Sequence, residues 1–221
     1  MDVGGALILA ALVLGGVVLV SGGPGRAIVD RAAEADTGTA AIVLAISVGI
    51  VAITGSAALV GDADLDLLVI NEEQTIPAYF GSALLLVGGA LALGIAVARP
   101  EGDPSWPWIL LGLVLIWLGF DEAAEIHERL ESRADLPAPV VLAPVALAGL
   151  AAFAGAFRRL QATPAALPLF LAGGAAWALS QALDPIHAVE WKSAIEETLE
   201  LSGSALFLLA LHRVARDLSR R

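Results

Sequence analysis

Residues 106–131 read WPWILLGLVLIWLGFDEAAEIHERLE, and this stretch decides the fold. Trp106-Pro107-Trp108 opens it, thirteen residues from Trp108 to Phe120 carry no charge, and the helical pattern then continues through Asp121, Glu122, Glu125, His127 and Glu128. A helix rising about 1.5 Å per residue needs about 20 residues to cross a hydrocarbon core of roughly 30 Å. The uncharged block is too short for that. With the two tryptophans at one interface, where aromatic belts sit, Asp121 comes only about 20 Å along the axis, inside the far leaflet. Ionisable groups at that depth are costly, face the interior of a bundle and mark a site.

The remainder of the chain agrees with a membrane setting. Of 221 residues, 58% are hydrophobic and 16% charged, and several apolar runs reach membrane-spanning length, which predicts a polytopic protein of the cell membrane surrounded by lipid. There is no cysteine, which excludes disulfides, thiolate metal sites and cysteine nucleophiles. A net charge of −11, without any basic stripe, excludes nucleic acid as a partner. Met1-Asp2-Val3-Gly4-Gly5 lacks the basic start of a cleavable signal peptide, so the apolar run behind it reads as a retained helix. The single lysine, Lys192, falls among Glu190, Trp191 and Ser193, a polar setting that argues against a Schiff-base pocket.

Turn signals and charges cut the chain into seven apolar segments, roughly 5–21, 39–60, 76–98, 106–126, 138–157, 166–183 and 193–211. The predicted fold is therefore all-α, a seven-helix transmembrane bundle forming one domain over residues 1–221. Arg26, Arg31, Arg99, Arg158, Arg159, Arg213, Arg216, Arg220 and Arg221 occupy alternate joints, against Arg129, Arg133 and Lys192 on the other side. That asymmetry sets N outside and C inside, and it gathers most carboxylates at the outer ends. At an offset of 122, Gly81-Ser82-Ala83-Leu84 matches Gly203-Ser204-Ala205-Leu206, and Asp62 matches Asp184. These matches fit either a parallel 3+1+3 repeat or coincidence in a chain rich in Ala, Leu and Gly.

The candidate site grows from the fourth and seventh segments. At 100° per residue, Asp121, Glu125 and Glu128 share an arc of about 60°, with Glu122 and His127 at its flanks. Counting thirteen residues back from Arg213 reaches Glu200, which puts it about 20 Å from the inner end, level with Asp121. Glu197 shares its face at i,i+3 and Glu196 lies beside it at i,i+4. Asp184 and His187 close the sixth segment at i,i+3, provided the helix survives Pro185. Carboxylates at one depth on facing helices cannot all stay ionised in a low dielectric, so shared protons or a cation must neutralise them. Glutamates and imidazoles from several helices form di-metal sites in bundles, and a divalent ion such as zinc, manganese, iron or calcium suits the mixed donors. The metal set expected on this reading is Asp121, Glu122, His127, Glu128, Asp184, His187, Glu196, Glu197 and Glu200. Glu72 and Glu73 form a second tier. Ser82 reads as helix packing before it reads as a nucleophile or ligand, and Gly88-Gly89 either packs within the bundle or joins protomers of a homo-oligomer.

At Asp121-Glu122-x4-His127-Glu128 and Glu196-Glu197-x2-Glu200, with Glu73 ahead of Ile76-Pro77-Ala78-Tyr79-Phe80-Gly81-Ser82, the chain resembles a set of uncharacterised prokaryotic multi-pass membrane proteins with the same three signatures. The resemblance covers the third to seventh segments and implies a shared site without naming its chemistry. Seven helices also invite comparison with ceramidase-like and adiponectin-receptor-like membrane hydrolases, but no His-x3-His pair is present. Microbial rhodopsins share the helix count, and the lysine does not match. Three functions follow as expectations. The leading one is cation or proton-coupled transport through an outward-opening acidic pocket. A metal-dependent hydrolase acting on a lipid or envelope substrate and a non-catalytic assembly or sensing subunit are the alternatives.

Overall fold

The computed structural model describes residues 76–99, 103–183 and 192–220. Six helices run through them: α1 (Ile76–Ala98), α2 (Trp106–Ala124), α3 (Ile126–Ala134), α4 (Ala138–Leu160), α5 (Leu167–Leu183) and α6 (Lys192–Ser219). No strand occurs among the described residues. The first two expected segments, and with them two of the three leading helices of a 3+1+3 repeat and the outer N-terminus, lie outside the described residues.

Proline and glycine set the joints. Pro107 stands in the first turn of α2, where its missing N–H would have had no helical partner and its fixed φ favours the start. Pro137, at φ −69° and ψ 143°, precedes α4 in extended backbone. Three runs are long and apolar enough to cross a membrane: Ala78–Ala98, Trp106–Ala124 and Val140–Leu160. α5 is apolar and shorter, at 17 residues. α6, at 28 residues, carries Glu196, Glu197 and Glu200 near its start and Arg213 and Arg216 near its end.

α1, α2, α4 and α5 are apolar over most of their length, whereas α3 is charged and α6 carries acids near its start and arginines near its end. Val87, Leu147 and Leu150 are 56%, 66% and 67% exposed, so the bundle presents large apolar side chains on its outside. Between helices this apolar, close van der Waals approach is made at small residues. Two crossings show this. A Cβ on Gly89 of α1 would lie 2.8 Å from the Gly112 carbonyl oxygen of α2, and one on Gly112 would lie 2.9 Å from the Gly89 oxygen. Gly173 of α5 and Gly203 of α6 repeat the arrangement, each Cβ position 3.0 Å from the other's carbonyl oxygen. Gly88 faces Leu115 and Leu211, so the Gly88-Gly89 surface packs inside the bundle. Ser82, 4% exposed, adds a hydrogen bond at the first interface, donating to the Gly119 carbonyl at 2.6 Å. Its hydroxyl is engaged in packing.

Around the bundle the order is α4, α2, α1, α6, α5, and α4 touches α5 to close the circuit. Phe153 of α4 stacks on Phe170 of α5 at 4.6 Å between ring centroids, and Phe207 of α6 joins at 5.3 Å. Trp108, Leu111, Ile95 and Leu211 fill the core around them. One end of the circuit is basic. Asp103 pairs with Arg99 and accepts a hydrogen bond from Arg159 Nη1 at 2.9 Å, while Arg99 lies over Trp108 at 5.6 Å. This staple brings the ends of α1 and α4 to the start of α2, and it leaves the acidic ends of α2 and α6 together at the far side.

The glycine crossing is testable. Gly112→Leu is expected to lower the stability of the purified protein by about 3 kcal/mol or prevent folding, because the new side chain meets Leu93 and backbone. Leu113→Ala, on the exposed side of the same turn, is expected to change it by less than about 0.5 kcal/mol; denaturant unfolding in detergent measures both.

Candidate functional site

The helix expected to run on through Glu128 ends at Ala124. Glu125 takes the left-handed conformation, φ 51° and ψ 44°, after its N–H has bonded to the Asp121 carbonyl at 2.7 Å. The cause lies in the Asp121 carboxylate. Its Oδ1 accepts the backbone N–H of His127 at 2.8 Å, and its Oδ2 stands 2.7 Å from His127 Nδ1, the geometry of a ring N–H donating to a carboxylate. Asp121 thus serves α3 as a capping acceptor from the preceding helix, satisfying an N–H that the first turn leaves without a partner. The arc shared by residues 121, 125 and 128 does not form. Instead Asp121, 8% exposed, and His127 face each other across the break.

His127 lies just past the membrane-length run Trp106–Ala124, and its pKa is raised above the ordinary 6.5. The hydrogen bond to Asp121 is the largest cause. Partial burial works against it, and the charges of Asp121, Glu128 and Glu131 add to the rise.

Beyond this pair opens a cavity of about 440 Å³. Asp121 and Glu122 reach it from α2, Glu125 from the break, His127 and Glu128 from α3, and Glu196, Glu197 and Glu200 from α6. α5 adds Trp177, Ser180 and Gln181, and α4 gives an apolar wall through Leu142, Val145 and Gly149. No lysine or arginine is among its described lining residues. Glu200 Oε1 accepts hydrogen bonds from Ser180 Oγ at 2.6 Å and Gln181 Nε2 at 3.1 Å. Ser180 is 1% exposed, so this donor is fixed. Glu122 turns toward α1, where its Oε1 stands 3.7 Å from the position of a Cβ on Gly81. Ser204, the sequence counterpart of Ser82, donates to the carbonyl of Glu200 in its own helix at 2.7 Å; the two serines hold different partners.

Seven of the nine residues expected to bind metal therefore line one cavity: Asp121, Glu122, His127, Glu128, Glu196, Glu197 and Glu200. Asp184 and His187 lie outside the described residues, as do Glu72 and Glu73. Among the described residues, no three His, Asp or Glu side chains are grouped so as to hold a metal ion. The hydrogen bonds account for part of this, since Asp121 is turned to His127 and Glu200 to Ser180 and Gln181. Sequence reasoning missed Trp177, Ser180 and Gln181. The signal was present in the sixth segment, where Ser180-Gln181 interrupts an apolar run three and four residues after Trp177.

An all-α bundle, with three helices long and apolar enough to cross a membrane and a carboxylate-lined cavity at one end, is the class of protein that this architecture defines. The chain belongs to the family described as a domain of unknown function, DUF8692, whose model matches residues 37–215 and so spans every described residue of the cavity. No curated protein and no solved structure matches it.

Two predictions come from the break. Glu125→Gly is expected to raise stability by about 1 kcal/mol, because glycine adopts the left-handed backbone without the Cβ conflict, and the exposed Arg129 contact it removes, at 3.9 Å, is worth little. The Asp121–His127 pair should also write a pH dependence. A folded pKa above 6.5 means that folding favours the proton, so the contribution is complete below the ordinary value and lost as pH rises through the raised one. Urea unfolding midpoints across that range should fall in the wild type, and this component should vanish in His127→Gln.

Proposed function

We propose that the chain is a seven-helix protein of the cell membrane, N outside and C inside, whose acidic cavity exchanges protons, or a cation in their place, in proton-coupled or cation transport. The observation that carries this reading is the convergence of carboxylates from α2 and α6, with His127, on one cavity that no described lysine or arginine lines. Acids brought together among apolar helices repel one another unless positive charge arrives. Protons or a cation supply it, and two of the acids are already oriented, Glu200 by two donors and Asp121 by His127. A volume of about 440 Å³ falls in the range that small-molecule sites occupy, which leaves room for a hydrated or organic cation beside the acids. Loading with positive charge favours the arrangement in which α2 and α6 stay close; protonation by competing H⁺ releases a bound cation.

Proteoliposomes with a trapped pH-sensitive dye, an imposed pH gradient and potassium–valinomycin charge compensation test this. Wild-type protein is expected to carry protons above the leak of empty vesicles, and Glu200→Gln to reduce that flux about a hundredfold, the scale of losing a positioned proton carrier. Glu128→Gln, at an exposed position, should retain most of it. Wild-type flux no greater than the leak, or full flux in Glu200→Gln, overturns the reading.

A further inference from the structure

At the basic end, away from the acidic cavity, a cleft of about 350 Å³ opens between the start of α2 and the end of α4. Trp106 forms one side; Ala151, Ala154 and Gly155 form the other; Arg158 and Arg159 stand at its mouth. The two arginines are not equivalent. Arg159 is held by Asp103 at 2.9 Å, whereas Arg158 is exposed and has no ion-pair partner among the described residues. Trp106, 52% exposed, begins a membrane-length helix, the level at which tryptophan marks the interface between headgroups and hydrocarbon. Along α4 the side of the cleft continues into Leu150 and Leu147, both more than half exposed. The result is an apolar channel beside a membrane-length helix, with a guanidinium that has no ion-pair partner among the described residues standing by Trp106.

The geometry points to a binding site for an anionic phospholipid of the leaflet at the arginine-rich end, its acyl chain in the cleft and its phosphate on Arg158. Charge complementarity selects this occupant. A zwitterionic lipid fills the apolar part equally well but presents its own cation to Arg158, and a soluble anion has no use for the apolar walls. Basic pockets between spans recognise anionic headgroups in this way, and a guanidinium supplies paired N–H donors to phosphate oxygens. The inference shares with the proposed function only the placement in a membrane; it needs no transport.

Native mass spectrometry of the full chain in detergent provides the test, with phosphatidylglycerol and phosphatidylcholine of the same acyl chains as probes. The expected result is preferential retention of phosphatidylglycerol, reduced about fivefold in Arg158→Gln, the effect of one basic residue near an anionic headgroup, and restored in Arg158→Lys. Ala154→Trp should displace both lipids by filling the cleft. Both positions are exposed, so these substitutions leave the packing intact. Equal retention of the two lipids, retention of phosphatidylglycerol unchanged in Arg158→Gln, or displacement of it by millimolar inorganic phosphate overturns the proposal.

Discussion

Between helices as apolar as α1, α2 and α5, backbone proximity comes from glycine. Gly89 against Gly112 and Gly173 against Gly203 bring carbonyls to within about 3 Å of where a Cβ would sit, and dispersion over the length of each helix pair then becomes worth having. The first crossing joins α1 to α2 and the second joins α5 to α6. Because α1 also packs on α6, the two pairs are locked side by side, and the acids of α2 come to face those of α6. The cavity is thus a consequence of where the small residues fall.

Placing carboxylates in such surroundings creates a demand for hydrogen-bond donors, which two of the acids show plainly. Asp121 finds the N–H and ring of His127, and Glu200 finds Ser180 and Gln181. The donors that orient these two acids are serine, glutamine and histidine side chains and a backbone N–H. At the opposite end, Asp103 joins Arg99 to Arg159.

Much of this could be read in advance, and the exceptions are instructive. The segment predicted at 76–98 matches α1 (Ile76–Ala98), and those at 166–183 and 193–211 fall on α5 and α6, because Pro, Gly and charge punctuate a chain whose apolar runs admit little else. That Asp121 and Glu200 belong together follows from helical rise counted from Trp108 and from Arg213, and both line the one cavity. The break at Glu125 could not be foreseen from propensity, since glutamate is a good helix former. It arises from a side-chain bond spanning six residues, which lets Asp121 start a new helix at the cost of one left-handed residue. The partners of Glu200 were hidden for another reason: they depend on which helix neighbours α6, and the order of helices around a bundle leaves no periodic mark in the sequence. The seven-helix count, the orientation and the roles of Asp184 and His187 rest on residues outside those described.

Beneath the acids, Phe153, Phe170 and Phe207 meet one to two helical turns further along α4, α5 and α6. A solute descending from the mouth would arrive at aromatic faces, and the contacts holding those faces together amount to roughly 0.5–1.5 kcal/mol per pair beyond their burial. Phe170 is wholly buried, so moving it would forfeit its burial as well as its ring contacts. The three rings therefore fix how α4, α5 and α6 lie against one another beneath the cavity, and the acids above them inherit that spacing.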